Sequence, residues 1–147
     1  ARAQAAIAAG LVTVDGRPVR KASEMIAADA VLTAQAPHPY VSRGGLKLAS
    51  ALDLFGFDPA GRVCLDVGAS TGGFTDLLLK RGARRVIAVD VGREQLHASL
   101  RGDPRVTSRE GCDIRSLTPV DLGEPPTLAA IDVSFISLTK VLPHLMA

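Results

Sequence analysis

The stretch Leu65-Asp66-Val67-Gly68-Ala69-Ser70-Thr71-Gly72-Gly73-Phe74-Thr75-Asp76 decides the fold. It reads as a buried strand running into a glycine-rich turn and the start of a helix, the place where open α/β sheets hold nucleotide-like cofactors. Glycine there lets the backbone approach a ligand closely, and the N–H groups of a helix start point into the same space. The glycines fall at Gly68, Gly72 and Gly73, so the loop is G-x-x-x-G-G and not the G-x-G-x-x-G of dinucleotide enzymes. This spacing disfavours a nicotinamide dinucleotide and points to S-adenosylmethionine (SAM), whose methionine carboxylate and sulfonium use the cleft that otherwise receives pyrophosphate. A tight strand-to-helix turn with no ligand carries the same pattern.

Working outward, strands at 63–67, 86–91, 106–108 and 128–133 alternate with helices at 74–81 and near 94–100. Such alternation predicts a parallel, doubly wound α/β sheet. Leu46, Ala49, Leu52 and Phe55 recur at helical spacing ahead of the first strand, and Gly56 ends that helix. A last helix runs from Leu138 to Leu145, interrupted by Pro143. Four strands make a thin sheet whose fourth member needs cover on its far side, so further strands are expected after Ala147.

Upstream, Arg2 to Ala9 is helical by propensity and stops at Gly10. Leu11–Val14 and Arg17–Val19 read as strands joined by the two-residue turn Asp15-Gly16, and Ala30–Gln35 supplies another strand. This α+β unit is too small to stand without more chain or a neighbour. Pro37-His38-Pro39 favours stiff, extended backbone. The expected organisation is therefore a small unit over residues 1–35, a linker over 36–43 and a sheet domain over 44–147, incomplete at its C-terminal side.

Of the 147 residues, 47% are hydrophobic, which excludes general disorder. Aromatics are only 3%, so base stacking is not expected to dominate any nucleic-acid contact. The net charge of +2 is uneven: residues 1–47 carry six Lys/Arg against three acids, and the remainder is near neutral. A basic front end suits a polyanion partner, although scattered surface charge reads the same way. Cys64 and Cys112 are isolated and form no metal set with the three histidines, so free thiols in a reducing compartment are expected. No apolar run approaches the ~18 residues needed to cross a bilayer. Together these features predict a soluble, cytoplasmic protein.

Further markers follow in strand order. Asp66 ends the first strand, where it can face the ammonium end of the ligand. Asp90, in Val89-Asp90-Val91, suits a ribose diol, as in many adenosine sites. Asp113, in Gly111-Cys112-Asp113-Ile114, can accept from an adenine amino group with Ile114 flanking the ring, or simply cap a helix. Asp132 lies where the fourth strand leaves the sheet; it can hold a lysine ammonium, position a substrate hydroxyl, or cap the next helix in competition with Ser134 and Ser137.

Ser42-Arg43-Gly44-Gly45-Leu46-Lys47-Leu48, the glycine loop from Asp66 to Asp76, and Asp132-Val133-Ser134-Phe135-Ile136-Ser137-Leu138 closely resemble the TlyA family. These are hemolysin-named proteins related to the FtsJ-like ribose methyltransferases. Arg2 to Gln35 resembles the second half of an RNA-binding domain of the ribosomal S-four type. The resemblance implies a Rossmann-like SAM-methyltransferase sheet and SAM-dependent 2′-O-methylation of ribosomal RNA. It implies cofactor contacts from Asp66, Gly68, Ala69, Ser70, Thr71, Gly72, Gly73, Phe74, Asp90, Val91, Asp113 and Ile114. Family catalysis uses a Lys-Asp-Lys-Glu set, of which Lys47 matches the first lysine and Asp132 the aspartate; the second lysine and the glutamate belong to later strands. Lys140 comes too soon after Asp132 to fill that role. Arg2, Arg17, Arg20, Lys21 and Arg43 are the candidate RNA contacts. A SAM- or RNA-binding module without activity is the rival reading. A membrane-lytic protein, suggested by the hemolysin name, finds no transmembrane or strongly amphipathic cationic segment.

Overall fold

The computed structural model describes residues 2–145, with the side chain of Arg2 outside that description. The chain divides after Pro39 into two compact units.

The first unit comprises α1 (Arg2–Ala8), β1 (Val12–Val14), β2 (Arg17–Pro18) and β3 (Leu32–Ala34). Asp15 and Gly16, at φ 48° and 79°, make the hairpin turn between β1 and β2. Positive φ at both central residues matches the twist of the flanking strands. β1 pairs antiparallel with β2 on one side and β3 on the other. Ala6, Val12, Val14 and Val19 form a core of only a few side chains.

The second unit comprises α2 (Gly44–Phe55), β4 (Val63–Val67), α3 (Gly73–Lys80), β5 (Arg85–Asp90), α4 (Ala98–Arg101), β6 (Val106–Glu110), α5 (Pro119–Leu122), β7 (Leu128–Ile131) and α6 (Leu138–Leu145). Its four strands are parallel in the order β6-β5-β4-β7. The chain winds outward from β4 through β5 to β6, then returns to the other flank of β4. This reversal leaves a crevice at the carboxyl ends of β4 and β7. Residues 40–43 pack within this unit: Val41 donates its N–H to Asp76 Oδ2 at 2.9 Å, and the ring of Tyr40 fills the space that a side chain at Gly45 would need.

β4 is buried along its whole length, yet its side chains still alternate. Cys64 joins the core beneath α2 and α3, whereas Val63, Leu65 and Val67 join the opposite core, with Ile114 and Val141. Period-two geometry therefore turns Asp66 toward α3, away from the crevice.

Two elements, α4 and α5, differ from the sequence expectation. α4 starts at Ala98 rather than near Glu94, because the backbone N–H groups of Gln95 and Leu96 are both taken by Glu110 Oε1, at 2.7 and 2.9 Å. The segment before β7 holds a short helix, α5, where a loop was expected; the Thr118 N–H and hydroxyl both donate to Asp121 at its first turn. α6 covers the span Leu138–Leu145 that the sequence predicts, and it continues through Pro143.

Candidate functional site

A cavity of about 690 Å³ opens at the carboxyl ends of β4, β5 and β7. Gly68, Ser70, Asp90, Val91, Asp113, Ile114 and Asp132 all line it. The sequence-derived residues Asp66, Ala69, Thr71, Gly72, Gly73 and Phe74 do not, and the reasons are local. Asp66 is fully buried and accepts from the Thr75 hydroxyl at 2.7 Å, while its other oxygen, Oδ1, has no hydrogen-bond partner. Burial first, then the charges of Asp90 and Asp132, push its carboxyl up to about 6 against the downward pull of Thr75. Phe74 is part of the core under α2, and Ala69 is buried.

The glycines also take a different role from the one read in the sequence. A side chain at Gly72, which sits at φ 92°, would strike Leu96 and Leu100; one at Gly73 would strike the Ser42 hydroxyl and crowd the backbone of Gly44 and Gly45. Gly68, at φ 85°, lies against the backbone carbonyl of Asp132. The loop is glycine-rich because protein, not ligand, packs against it on three sides. Its exposed edge is what remains for a ligand.

Asp90 is held firmly at the end of β5. Its two carboxylate oxygens accept one backbone N–H each, from Ser70 and from Gly92, both at 2.7 Å. Each oxygen keeps a lone pair for a ligand hydroxyl. Asp113 caps the 3-10 turn Ile114–Ser116 and forms an ion pair with Arg115 at 2.6 Å; those hydrogen bonds hold its carboxyl down at about 2. Its carboxylate is thus committed to Arg115, and the capping alternative describes it.

Lys47 and Asp132, 85 positions apart, meet as an ion pair at 2.6 Å. α2 delivers the lysine and the exit of β7 the carboxylate; Asp132 lines the cavity, with its carbonyl against Gly68, and Lys47 reaches it from outside. Both side chains are substantially exposed, at 65% and 44%, and open to a substrate from outside. Lys47 also borders an apolar groove of about 320 Å³ between α2 and β7.

Lining residues that the sequence reading gave no site role include Gln95, Cys112, Arg115, Phe135 and Lys140. Phe135 is the most unusual, fully exposed and at φ 64°, a backbone state that costs a bulky side chain energy. Its signal in the sequence was an aromatic placed within the polar turn that follows a strand.

The donor set suits SAM. Asp113 is paired with Arg115 and Asp132 with Lys47, which leaves Asp90 as the lining carboxylate with no ion-pair partner and with acceptor capacity for the hydroxyls of an adenosine ribose. Among the described residues no cluster of potential metal ligands occurs, and no helix is long and apolar enough to cross a membrane. Of the candidate RNA contacts, Arg17, Arg20 and Lys21 are exposed in the first unit and Arg43 is exposed in the second; the side chain of Arg2 lies outside the described residues.

Comparison with known proteins agrees with this geometry. Residues 40–147 match the FtsJ-like methyltransferases. A 16S/23S rRNA (cytidine-2'-O)-methyltransferase TlyA of Mycobacterium tuberculosis is 49% identical over 99% of the chain and 56% of its own length. Hemolysin A of Brachyspira hyodysenteriae is 43% identical over 97% of the chain and 60% of its own length. A solved structure of a hemolysin-named protein from Streptococcus thermophilus superposes with a TM-score of 0.74 at 46% identity, covering 97% of this chain and 54% of that one. The chain thus spans little more than half the length of the curated relatives it matches.

Proposed function

The chain belongs to the FtsJ-like methyltransferase family, and from that premise we propose that it supplies the cofactor-holding and hydroxyl-orienting residues of an enzyme that methylates a ribose 2′-hydroxyl of ribosomal RNA, with SAM as methyl donor. The observation that carries this reading is the Lys47–Asp132 pair, 2.6 Å apart, whose carboxylate lines the cavity at the strand ends. When bound, SAM supplies a methyl group made electrophilic by its sulfonium.

The residues of this chain do the rest by positioning. Asp90 accepts from the ribose hydroxyls of the cofactor, and Val91 and Ile114 give the adenine an apolar slot. The Lys47 ammonium, steered by Asp132, donates to the incoming 2′-oxygen and holds it in line with the methyl group. Asp132 fixes the Lys47 ammonium in place, so that the single hydroxyl proton is left for a base. The second lysine of the family set, which the resemblance puts on a later strand, takes that proton as the new bond forms. Phe135 offers a flat apolar face to the base of the target nucleotide.

The first unit fits the RNA-contacting role, with Arg17, Arg20 and Lys21 exposed to meet phosphates. Two free cysteines, Cys64 and Cys112, agree with a cytoplasmic setting.

The test is methyl incorporation from labelled SAM into ribosomal RNA, using the protein continued past residue 147 to the length of its relatives. Label on ribose 2′-oxygens, lost in Lys47→Ala and Asp132→Ala, supports the proposal. Tight binding of SAM and RNA with no ribose methylation overturns it and leaves a non-catalytic binding module.

A further inference from the structure

The loop after β5 carries a polar side chain that the mechanism above leaves unused. Gln95 lines the cavity, and among the described residues its carboxamide makes no hydrogen bond to protein. A side chain at Gly92 would collide with Gln95 Nε2 and come within 3.0 Å of Asp90 Oδ1. The Gln95 amide and the Asp90 carboxylate therefore flank the same face of Gly92, side by side in the cavity.

The loop is built to put Gln95 there. Glu94 takes φ 56°, turning the chain sharply. Glu110, at the end of β6, then accepts the N–H groups of Gln95 and Leu96 through one oxygen, at 2.7 and 2.9 Å. Those backbone hydrogen bonds, the Leu96 one foremost, hold the Glu110 carboxyl below its usual range, so the acceptor stays ionised. Leu96 is buried against Gly72, the His97 N–H reaches the Thr71 carbonyl at 3.2 Å, and the Gly111 N–H reaches the Gly92 carbonyl at 2.6 Å. The segment is fastened at both ends and in its middle, yet the side chain of Gln95 is left pointing at open space.

A ribose diol explains the juxtaposition. Each hydroxyl donates one hydrogen bond and accepts others. Asp90 satisfies the donors only; the hydroxyl oxygens still need an N–H. We propose that Gln95 is a second ribose-recognition residue, donating its amide N–H to a cofactor hydroxyl whose proton goes to Asp90, and that Glu110 is the positioning residue that aims it. This rests on the assignment of SAM to the cavity. Gly92 is required because a side chain there would displace the amide.

The experiment is calorimetric binding of S-adenosylhomocysteine and of its 2′-deoxy and 3′-deoxy ribose analogues to the protein at the length of its relatives. In the unaltered chain, removal of the hydroxyl that Gln95 meets weakens binding about tenfold or more. Gln95→Ala weakens the parent ligand by about tenfold and reduces discrimination against that deoxy analogue to threefold or less. Glu110→Ala does the same, whereas Glu110→Gln, which keeps an acceptor oxygen, retains discrimination; a merely structural Glu110 would not give that contrast. Equal weakening of all three ligands by Gln95→Ala, or none, overturns the inference and leaves the SAM reading intact. Failure of the unaltered chain to bind S-adenosylhomocysteine sinks both.

Discussion

Replacing Asp66 by asparagine should change how stability responds to pH. Asp66 is fully buried, with one oxygen on Thr75 and the other without a partner. Its carboxyl is raised from 3.8 to about 6 in the folded state. Between those values the folded protein binds more protons than the unfolded chain, so the contribution of Asp66 is fully present below about pH 4 and is lost as pH rises through about 6. At 1.36 kcal/mol per unit, the swing amounts to about 3 kcal/mol. Most other shifted carboxyls, such as Asp103, Asp113, Asp121 and Glu124, are lowered and act in the opposite sense toward acid. Subtracting the variant removes their contribution. Urea unfolding of both proteins from pH 4.5 to 7.5 should show the unaltered chain losing stability relative to Asp66→Asn by roughly 2–3 kcal/mol as pH rises. A difference that stays constant within about 0.5 kcal/mol across that range would refute the placement of a dry, half-satisfied carboxylate under the loop.

Lys47→Ala and Asp132→Asn should each cut methyl transfer by at least about a hundredfold while leaving S-adenosylhomocysteine affinity within about threefold, since both side chains act on the substrate hydroxyl. Because the pair is exposed, unfolding free energy should move by less than about 1 kcal/mol; a larger loss would make the pair a structural one. Gly72→Ala should destabilise by roughly 2–4 kcal/mol in denaturant titration, combining left-handed strain with intrusion on Leu96 and Leu100. A change below about 0.5 kcal/mol would mean that this glycine is not there for packing. Phe135→Gly should stabilise the fold slightly, by about 1 kcal/mol, by relieving strain at φ 64°, and should raise KM for RNA several-fold. An unchanged KM would show that the exposed ring is not a platform for the substrate.

The doubly wound order was legible because hydrophobic runs and glycine stops alternate at the right lengths, and those signals are local. The resemblance picked out Lys47 and Asp132, and Asp132 read as able to hold a lysine ammonium, but that Lys47 is the lysine was not legible, since no local pattern tells which partner lies 85 residues away. The turn of Asp66 toward α3 was not legible for a simpler reason. A fully buried strand lacks the polar alternation that reveals facing, so nothing in Val63–Val67 says which way the carboxylate turns. The glycine loop gave its position but not its cause, because a tight turn and a close packing contact demand the same residue. Gln95 was hidden within a predicted helix; only Glu110, on the next strand, prevents that helix from starting early.

The Lys47–Asp132 pair has a consequence for how the protein comes into being. Synthesis delivers the glycine loop and Asp90 well before β7. Asp132 arrives only when the final described strand docks beside β4, closing a loop of 85 positions. A chain clipped before β7 keeps the glycine loop and Asp90 but leaves Lys47 without its partner, so the exposed ion pair reports, from the surface, that β7 has taken its place in the sheet.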